Sequence, residues 1–452
     1  MGDYVWLPSG LHVLTQVERK FHMNSKTFLN LSVVFAAVVA FADPTVTNVN
    51  VTQDPVSHLV TATYTLDEPA VITFDVKTNG VSIGGANLTH AYGDVHRVME
   101  AGEHTLYWQA DKAWHGYRLA SDFSVVAWAT NAPPDYMVVD LVVKKGERTY
   151  YIAPEQLPDG GVTNRKYKTD YLVMRRIPAK NAIFPMGLRW NTGNSVFYHR
   201  VKLTNDFYMA VYELTQGQWS KVTGYTPALD GSLSWFPSFF GDAVASAYRD
   251  NEAVPIPQTR YTEFRGKTKT WQVDGHEIDT NCHIYKFRTV LGISTFDLPT
   301  EAEWEFACRA GTATERYDGS SGGTAPVGIA WLNEAGCRPA SGIQIPQEVG
   351  LLKANGFGLY DMFGNVPEMC LDYYNVGDAY AMRNDAIDGP YVEAPPGPAT
   401  DDQGRAGVDS ARHVKRGAGI GNGKWAAVAY DRAYQGASDN YPFFGYRLVC
   451  LP

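Results

Sequence analysis

Complete helix signals are scarce in this chain, and their scarcity constrains the fold more than any other feature. In a capping box, Ser or Thr is followed three residues later by Glu or Gln, and the two residues satisfy each other's free backbone N–H groups. One box spans residues 215–218 and another spans residues 300–303. Gly224 and Gly311 then stand where short helices end. The sequence predicts two short helices and little long helix.

The composition indicates a globular chain with many turns. The 452 residues include 42 Gly and 25 Pro, and 45% of the residues are hydrophobic. This hydrophobic content excludes a largely disordered chain, and the length predicts two or more domains. The net charge of −9 provides no general basic field that would attract phosphates. A nucleic-acid partner is therefore not expected.

The first 43 residues are interpreted as an upstream extension followed by a signal peptide. Lys26 precedes an apolar run at residues 28–42, which ends in Ala-Phe-Ala and is followed by Asp43. The run is short for a membrane span, and its end matches a signal-peptidase site. Met23 lies closer to this run than Met1 and is the better start; an uncleaved anchor is the alternative. The prediction is a secreted, periplasmic or cell-surface protein without a membrane span after cleavage.

Residues 44–155 have the pattern of an all-β domain. Alternating, β-branched runs occupy residues 46–52, 59–66 and 70–76, and a turn signal follows at residues 78–80. This spacing predicts a sandwich like that of immunoglobulin or fibronectin domains. A Gly-rich linker is predicted at 156–167, and the second domain is predicted to span 168–452.

The cysteines and the common catalytic motifs give little chemistry by themselves. The chain has five cysteines, and none lies in a C-x-x-C pair. This excludes a zinc knuckle and a thioredoxin-like motif, and it leaves at least one thiol unpaired within a monomer. The pairing of the others stays open. The sequence contains no Gly-x-Ser-x-Gly elbow, Walker loop or His-Glu-x-x-His helix, so those hydrolase and nucleotide-binding classes have no support.

Five ordered motifs in the second domain resemble one known family. They are FPMG at 184–187, FYMAVYELTQGQW at 207–219, LPTEAEWEFACRAG at 298–311, NGFGLYDMFGNV at 355–366 and FGYR at 444–447. The series resembles the sulfatase-modifying factor family, whose founding members are formylglycine-generating enzymes. The resemblance implies an α+β fold of the C-type-lectin-like kind, with low secondary-structure content, after the immunoglobulin-like sandwich.

The resemblance also implies where a copper-dependent enzyme would hold its metal. Formylglycine-generating enzymes oxidise a substrate cysteine with copper bound by two thiolates, and soft thiolates suit Cu(I). The matching segment here, residues 416–432, contains no cysteine. No catalytic residue is assigned and copper is not expected. The formylglycine-generating oxidase stays as an alternative.

A structural calcium site is the metal that the resemblance implies. In the family, the Gly-Leu-Tyr-(Asn/Asp)-Met-x-Gly-Asn-Val-Trp-Glu motif surrounds Ca²⁺ with two side-chain oxygens and two carbonyls. Carried over, Asp361 and Glu368 supply carboxylates while Gly364 and Val366 supply carbonyls. Hard oxygen ligands of this kind suit calcium. The sequence departs from the family at Pro367, where tryptophan is usual.

The C-terminal segment keeps the residue spacing of the family, but the residues between the fixed positions differ from those usual in the family. Arg416, Arg432 and the Gly-Tyr-Arg at 445–447 stand where the family has its frame. This resembles the variable proteins of diversity-generating retroelements, which display a binding surface on the same fold; drift without a catalytic constraint is the other interpretation. The first interpretation predicts a ligand face formed by Asn422, Trp425, Tyr430, Asp431, Tyr434, Asp439 and Tyr441.

The sequence therefore predicts a secreted binding protein with a pseudoenzyme domain and one structural Ca²⁺. Its partner is a protein, a peptide or a glycan, and the sequence does not distinguish among them. The two alternatives are the formylglycine-generating oxidase, which would act on a sulfatase cysteine, and the retroelement-type variable protein.

Overall fold

A computed structural model gives the fold of most of the chain after the predicted signal peptide. It describes residues 43–116, 119, 122–187, 199–224, 248, 251–256, 260–266, 278–342, 344–374, 392–393, 412–436 and 444–452. The predicted signal peptide lies outside these residues. In the described part of the chain, no helix has both the length and the apolar character needed to cross a bilayer.

The described elements are mainly short strands, with few helices. The strands are β1 (Val46–Gln53), β2 (Leu59–Leu66), β3 (Ala70–Thr78), β4 (Val81–Ser82), β5 (Ala91–Gly93), β6 (Val98–Met99), β7 (Gly102–Gln109), β8 (Phe123–Ala129), β9 (Tyr136–Asp140), β10 (Arg148–Tyr151), β11 (Tyr171–Ile177), β12 (Ile183–Met186), β13 (His199–Lys202), β14 (Phe207–Ala210), β15 (Ala330–Trp331), β16 (Phe363–Gly364), β17 (Glu368–Tyr373), β18 (Val392–Glu393), β19 (Arg412–Arg416), β20 (Ala433–Gly436) and β21 (Val449–Cys450). The helices are α1 (Ala110–Ala113), α2 (Lys166–Thr169), α3 (Gln216–Thr223), α4 (Tyr261–Phe264), α5 (His283–Leu291) and α6 (Glu301–Arg309). The 3₁₀ turns are Gly85–Asn87, Pro154–Gln156 and Lys424–Ala426.

Among its described residues, the first part of the chain is all-β apart from helix α1 and the 3₁₀ turn Gly85–Asn87. One sheet has the order β1-β2-β7-β5, and the other is built on β3, which pairs with β4, β6 and β8. The alternation of β2 buries Val60, Ala62, Tyr64 and Leu66, and these pack with residues of β3 and β7 in one core. The alternation is the period-2 pattern expected of strands with one face buried. The turn predicted after β3 is present, with positive φ at Asn79 and Gly80.

The second part of the chain is mixed α and β, as the sequence predicts. Its largest sheet includes two strands, β9 and β10, that precede the predicted linker. This sheet has the order β10-β9-β11-β14-β21. The hairpin β9–β10 lies within the segment assigned to the first domain, yet β9 pairs antiparallel with β11 over residues 136–140. The predicted domain boundary at residue 155 stays a prediction. Smaller sheets, β12-β13-β18, β15-β16 and β17-β19-β20, complete this part.

Both predicted capping boxes are confirmed. Thr215 accepts a hydrogen bond from the Gln218 backbone at 3.2 Å, and the Gln218 side chain accepts one from the Thr215 N–H. Thr300 and Glu303 repeat this arrangement at the start of α6. Helix α3 ends at Gly224 with φ 76°. Helix α6 ends one residue earlier than predicted, because Ala310 already adopts the left-handed conformation.

His96 joins the first part of the chain to the outer edge of β10. The His96 carbonyl accepts the Tyr150 N–H at 2.7 Å, and the His96 Nδ1 lies 2.9 Å from the Tyr150 carbonyl. Since a carbonyl can only accept, Nδ1 carries the proton. The imidazole is buried and stacks on Tyr151 with ring centroids 4.6 Å apart. The edge of β10 is therefore covered by backbone and ring contacts from the first part.

Candidate functional site

The loop at residues 361–368 turns sharply because three of its residues adopt positive φ. Asp361 has φ 56°, Gly364 has φ 79° and Asn365 has φ 55°. At Gly364 a side chain would collide with the Trp331 backbone, so only glycine fits this close approach. The Gly364 N–H donates to the Gly417 carbonyl at 2.8 Å, which joins the loop to the C-terminal segment.

Glu368 forms a buried ion pair with Arg447 of the last motif. The Arg447 Nε lies 3.0 Å from both Glu368 oxygens, and the Arg447 Nη2 lies 2.6 Å from Oε1. The Trp304 Nε1–H donates to Oε2 at 2.7 Å. The other guanidinium protons of Arg447 reach carbonyls of residues 210, 211 and 360. Both Glu368 oxygens are thus engaged by donors of the protein itself.

Asp361 is buried beside this pair with one oxygen unpartnered. Its Oδ2 accepts the Gly350 N–H at 2.6 Å. Among the described residues, its Oδ1 has no hydrogen-bond partner. Burial raises the pKa of Asp361 to about 6, although the Gly350 hydrogen bond and the charge of Arg447 act in the other direction. An unpaired buried oxygen of this kind costs free energy unless a proton or a cation satisfies it.

Glu213 is a third buried carboxyl group, and the sequence reasoning missed it. Its Oε2 accepts the Asn365 Nδ2–H at 2.7 Å and its Oε1 accepts the Val366 N–H at 3.2 Å. Burial, reinforced by the nearby charges of Asp361 and Glu368, raises the pKa of Glu213 well above its usual range. The sequence signal was a lone acid inside the apolar run at 207–214. Glu213 holds the sharp loop in place through its side chain.

The predicted calcium donors fit a cation only in part. Asp361 offers a free hard oxygen, whereas both oxygens of Glu368 are taken by Arg447 and Trp304. Gly364 and Val366 are buried in the same loop, with their N–H groups hydrogen-bonded as described above. The described residues contain no group of three or more His, Cys, Asp or Glu side chains arranged to hold a metal. The Asp361 half of the predicted donor set fits Ca²⁺, and the Glu368 half does not.

Helix α6 and strand β19 are joined by a buried network of charged side chains. Arg416 pairs with Glu305, which also pairs with Arg309 at 2.7 Å. Arg432 pairs with Glu301 at 2.7 Å. The charge of Arg416, followed by that of Arg309, holds the pKa of Glu305 below its usual value despite burial. Removing one partner of these pairs would leave a buried charge uncompensated, which is strongly destabilising.

Arg316 is fully buried and binds the carbonyl groups of two surface loops. Its Nη1 donates to the Ser321 and Thr324 carbonyls at 2.5 and 3.0 Å. Its Nε and Nη2 donate to the Ala427 and Lys424 carbonyls at 2.6 and 2.8 Å. Because one planar guanidinium bonds both loops, their relative position is fixed.

Trp425 lies on these two loops and is 69% exposed. A Cβ atom placed on Gly323 would lie 3.4 Å from its Cη2, so the edge of the indole rests on the glycine loop. The Lys424 ammonium lies 5.8 Å from the ring centroid. The Lys424 N–H donates to Glu334 Oε2 at 3.4 Å. A large aromatic ring is therefore presented to solvent from a rigid base.

The other described residues of the predicted ligand face differ in exposure and in their contacts. Tyr434 is exposed, with the Arg412 guanidinium 4.2 Å from its ring centroid. Tyr430 instead donates its hydroxyl to Glu315 at 2.8 Å. Asn422 accepts the Gly419 N–H at 2.9 Å within a turn. Burial raises the pKa of Asp431 to about 6, against the opposing charge of Arg416. Asp439 and Tyr441 lie outside the described residues.

All five cysteines are free thiols buried in the hydrophobic core. Cys282 and Cys450 belong to one core cluster, whereas Cys308, Cys337 and Cys370 belong to another. Burial raises the pKa of Cys450 to about 12 and raises that of Cys370 well above its usual range. Burial therefore favours the protonated thiols near neutral pH, and protonated thiols are poor nucleophiles.

Two curated proteins are similar to parts of this chain. One curated relative, the chaperone protein LppX of Paenibacillus barcinonensis, is 28% identical over 209 residues, which is 42% of this chain and 70% of the relative. The formylglycine-generating enzyme of Mycobacterium tuberculosis is 45% identical over 75 residues, or 16% of this chain and 25% of that enzyme. The second match thus spans only a quarter of the enzyme.

Solved structures of low identity also match. Treponema denticola variable protein 1 matches with a TM-score of 0.41 and 23% identity, over 62% of this chain and 96% of that one. PvdO from Pseudomonas aeruginosa matches with a TM-score of 0.41 and 18% identity, over 62% of this chain and 95% of that one. The family model described as "Sulfatase-modifying factor enzyme 1-like domain" matches residues 183–451, more than half of the chain. The chain therefore belongs to the sulfatase-modifying factor family.

Proposed function

We propose that this chain is a non-catalytic binding protein of the sulfatase-modifying factor family, with its recognition surface around Trp425. The observation that carries this proposal is the 69% exposed indole on a base held by buried Arg316. Tryptophan dominates binding energy at many interfaces when it becomes buried. A base that is already rigid loses little conformational entropy on binding, so more of the contact energy appears as affinity.

The cysteines favour binding over the oxidase alternative. A copper-dependent oxidase needs two thiolates at its metal, and residues 416–432 provide none. The five thiols are divided between two core clusters, and burial disfavours their ionised form. A formylglycine-generating oxidase acting on a sulfatase cysteine remains the alternative, because the family includes that activity.

The chemical class of the binding partner that we propose rests on the exposed Trp425 surface and on the name of one relative. The name of the LppX relative describes it as a chaperone, which supports a protein or peptide partner for this chain. A glycan is the other candidate, since an exposed indole can also stack on a sugar ring. The retroelement-type variable protein is a special case of the same proposal. Trp425 and Tyr434 lie exposed between buried frame residues Arg416 and Arg447, as a display surface would require.

The remaining features of the proposal concern architecture and location. We propose that the family domain has a C-type-lectin-like fold and that the sandwich of β1 to β8 has an immunoglobulin-like fold. The two sheets of the sandwich share one core, which supports the second description. Secretion is proposed from the signal-peptide pattern at residues 28–42.

Structural Ca²⁺ at the loop of residues 361–368 is a separate proposal, supported by the unpartnered Asp361 Oδ1. A cation that binds only the folded state stabilises it by an amount that grows with the logarithm of its concentration above Kd. Calcium should therefore raise the melting temperature of the full chain relative to chelator-treated protein, and Asp361→Asn should remove the difference. Equal melting temperatures for the wild-type chain with and without calcium would contradict this proposal.

The experiment that tests the binding proposal is an array screen with a matched pair of variants. Fluorescently labelled full-length protein is applied to glycan and peptide arrays, and each signal is compared with those of Trp425→Ala and Tyr92→Ala. Tyr92 is also an exposed aromatic, 52% accessible, but it lies on β5 in the first part of the chain. We expect a ligand signal that Trp425→Ala reduces at least about tenfold, as loss of an interface anchor does, while Tyr92→Ala keeps it. Equal signals from all three proteins would contradict the proposed surface.

A further inference from the structure

The structure contains a second candidate site, away from Trp425, at the junction of the first part and the family domain. A cleft of about 760 Å³ opens between residues 86–91 and residues 154–163. Its volume falls in the range of 300–1,000 Å³ that is usual for ligand sites. Tyr360, the residue before Asp361, completes the lining. The cleft is thus built from both parts of the chain.

Tight backbone packing defines one end of this cleft. The 3₁₀ turns Gly85–Asn87 and Pro154–Gln156 approach so closely that a Cβ on Gly85 would lie 2.8 Å from the Ala153 Cβ. Only glycine permits this approach without a shift of the backbone. The Tyr212 hydroxyl donates to the Val162 carbonyl at 2.9 Å, which anchors the far end of the second wall. The walls are therefore fixed by the fold.

The walls combine apolar groups with negative charge. The apolar lining residues are Ala86, Ala91, Pro154, Leu157, Pro158 and Val162. Two carboxylates, Glu155 and Asp159, also line the cleft, whereas the lining includes no lysine or arginine. Asp159 is paired with Lys166 at 2.8 Å, and Glu155 has no ion-pair partner among the described residues. The charge that a ligand would meet is therefore negative.

We infer that this cleft binds a basic side chain of a peptide, with Glu155 as its counter-ion and the proline- and leucine-lined wall against its neighbours. The lining of the cleft also includes the aromatic residue Tyr360. A basic peptide satisfies both features of the lining, since its apolar groups meet the wall and its cation meets the carboxylate. An anionic ligand would be repelled by Glu155, and a purely apolar ligand would gain nothing from its charge. The inference is independent of the surface at Trp425.

The test uses three peptides that differ in one side chain. Acetyl-Leu-Arg-Leu-amide, the citrulline peptide of the same shape without the charge, and acetyl-Leu-Glu-Leu-amide are titrated into the full chain by calorimetry. Partly exposed charge pairs contribute up to about 1 kcal/mol, or about fivefold in affinity. We expect the arginine peptide to bind about fivefold more tightly than the citrulline peptide, and the difference to shrink in high salt.

Three variants locate the site. Glu155→Gln should bind the arginine and citrulline peptides with about equal affinity. Ala86→Trp should fill the cleft and abolish binding of both peptides. Glu103→Gln changes an exposed acid of β7 outside the cleft and should leave the affinities unchanged. Equal affinities of the arginine and citrulline peptides for the wild-type chain, absence of any binding at millimolar peptide, or an unchanged preference in Glu155→Gln would each overturn the inference.

Discussion

At the scale of single residues, the loop at 361–368 depends on charges that compensate one another inside the protein. Glu213, Asp361 and Glu368 are all buried, and Arg447 supplies the cation that contacts Glu368. Breaking a buried pair by removing one partner is far more costly than losing a surface pair, because the remaining charge stays uncompensated. The two carboxylates of the predicted metal site therefore have different roles.

Glu368→Gln tests the internal pair. It should lower the free energy of unfolding by about 3 kcal/mol, since Arg447 would remain buried without a counter-ion. Urea denaturation of the variant and of Glu103→Gln measures the difference. A loss no greater than that of the exposed control would show that the pair contributes little.

Asp361→Asn tests the unpartnered oxygen through its pH dependence. The pKa of Asp361 is raised from 3.8 to about 6, so the folded state binds this proton more readily than the unfolded state. The contribution of this group to the free energy of unfolding is therefore complete below pH 3.8, and it is lost as the pH rises to about 6. In calcium-free buffer, Asp361→Asn should be more stable than the wild type at pH 7 to 8, by roughly 2–3 kcal/mol, and should lose that advantage near pH 4. A variant that is less stable at both pH values would contradict this account.

The residue scale also shows why sequence reasoning reached only part of the site. The motif placed Asp361 and Glu368 on one loop as metal donors, which stays a prediction, and both side chains are buried. The partners of Glu368, however, are Trp304 and Arg447, which lie 64 and 79 residues away along the chain. Pairings over such distances are set by the fold and leave no local pattern.

At the scale of secondary-structure elements, sequence prediction succeeded where the signal was local. Both capping boxes identified helices α3 and α6. Helix α5 (His283–Leu291) was missed, because its N-cap is Cys282, which makes no side-chain capping bond, and its first turn has no acid. The pairing of β9 with β11 was also missed, since strand order depends on contacts that a linear pattern does not encode.

The two capping threonines should differ in their contribution to stability. Thr300→Ala removes one cap and should cost about 1 kcal/mol. Thr215 is fully buried and also donates its hydroxyl to the Lys168 carbonyl at 2.6 Å, so Thr215→Ala should cost more. Chemical denaturation of both variants, with Thr215→Ser as the conservative control, measures the order. Equal losses, or a larger loss for Thr300→Ala, would contradict the structural assignment.

The His96 contact with β10 predicts a loss of stability in acid. Burial lowers the pKa of His96 from 6.5 to about 4, with only the Tyr150 carbonyl acting in the other direction. The folded state therefore favours the neutral ring. The contribution of His96 to the free energy of unfolding is complete above pH 6.5, and it is lost as the pH falls to about 4. His96→Asn keeps a donor and tolerates the φ of 60°, and it should flatten this part of the stability profile. Identical wild-type and variant profiles between pH 4 and 7 would contradict the prediction.

At the scale of the whole molecule, residues 43–452 group into one compact unit. Val71 of β3 belongs to the same core cluster as residues of the five-stranded sheet, and Trp128 packs against that cluster. The division into two domains and a linker stays a prediction from the change of composition along the chain. Because this core is shared, we expect the two parts of residues 43–452 to unfold in one transition in calorimetry. Two separated transitions would indicate that the parts unfold independently.

The claim that this family member binds rather than oxidises is tested most directly by mass spectrometry of a substrate peptide. The full chain is incubated with a Cys-x-Pro-x-Arg peptide, copper and oxygen, beside an active formylglycine-generating enzyme as positive control. The account predicts that the peptide cysteine stays unmodified, because residues 416–432 provide no thiolate for copper. Conversion of the cysteine to an aldehyde by this chain would contradict the account.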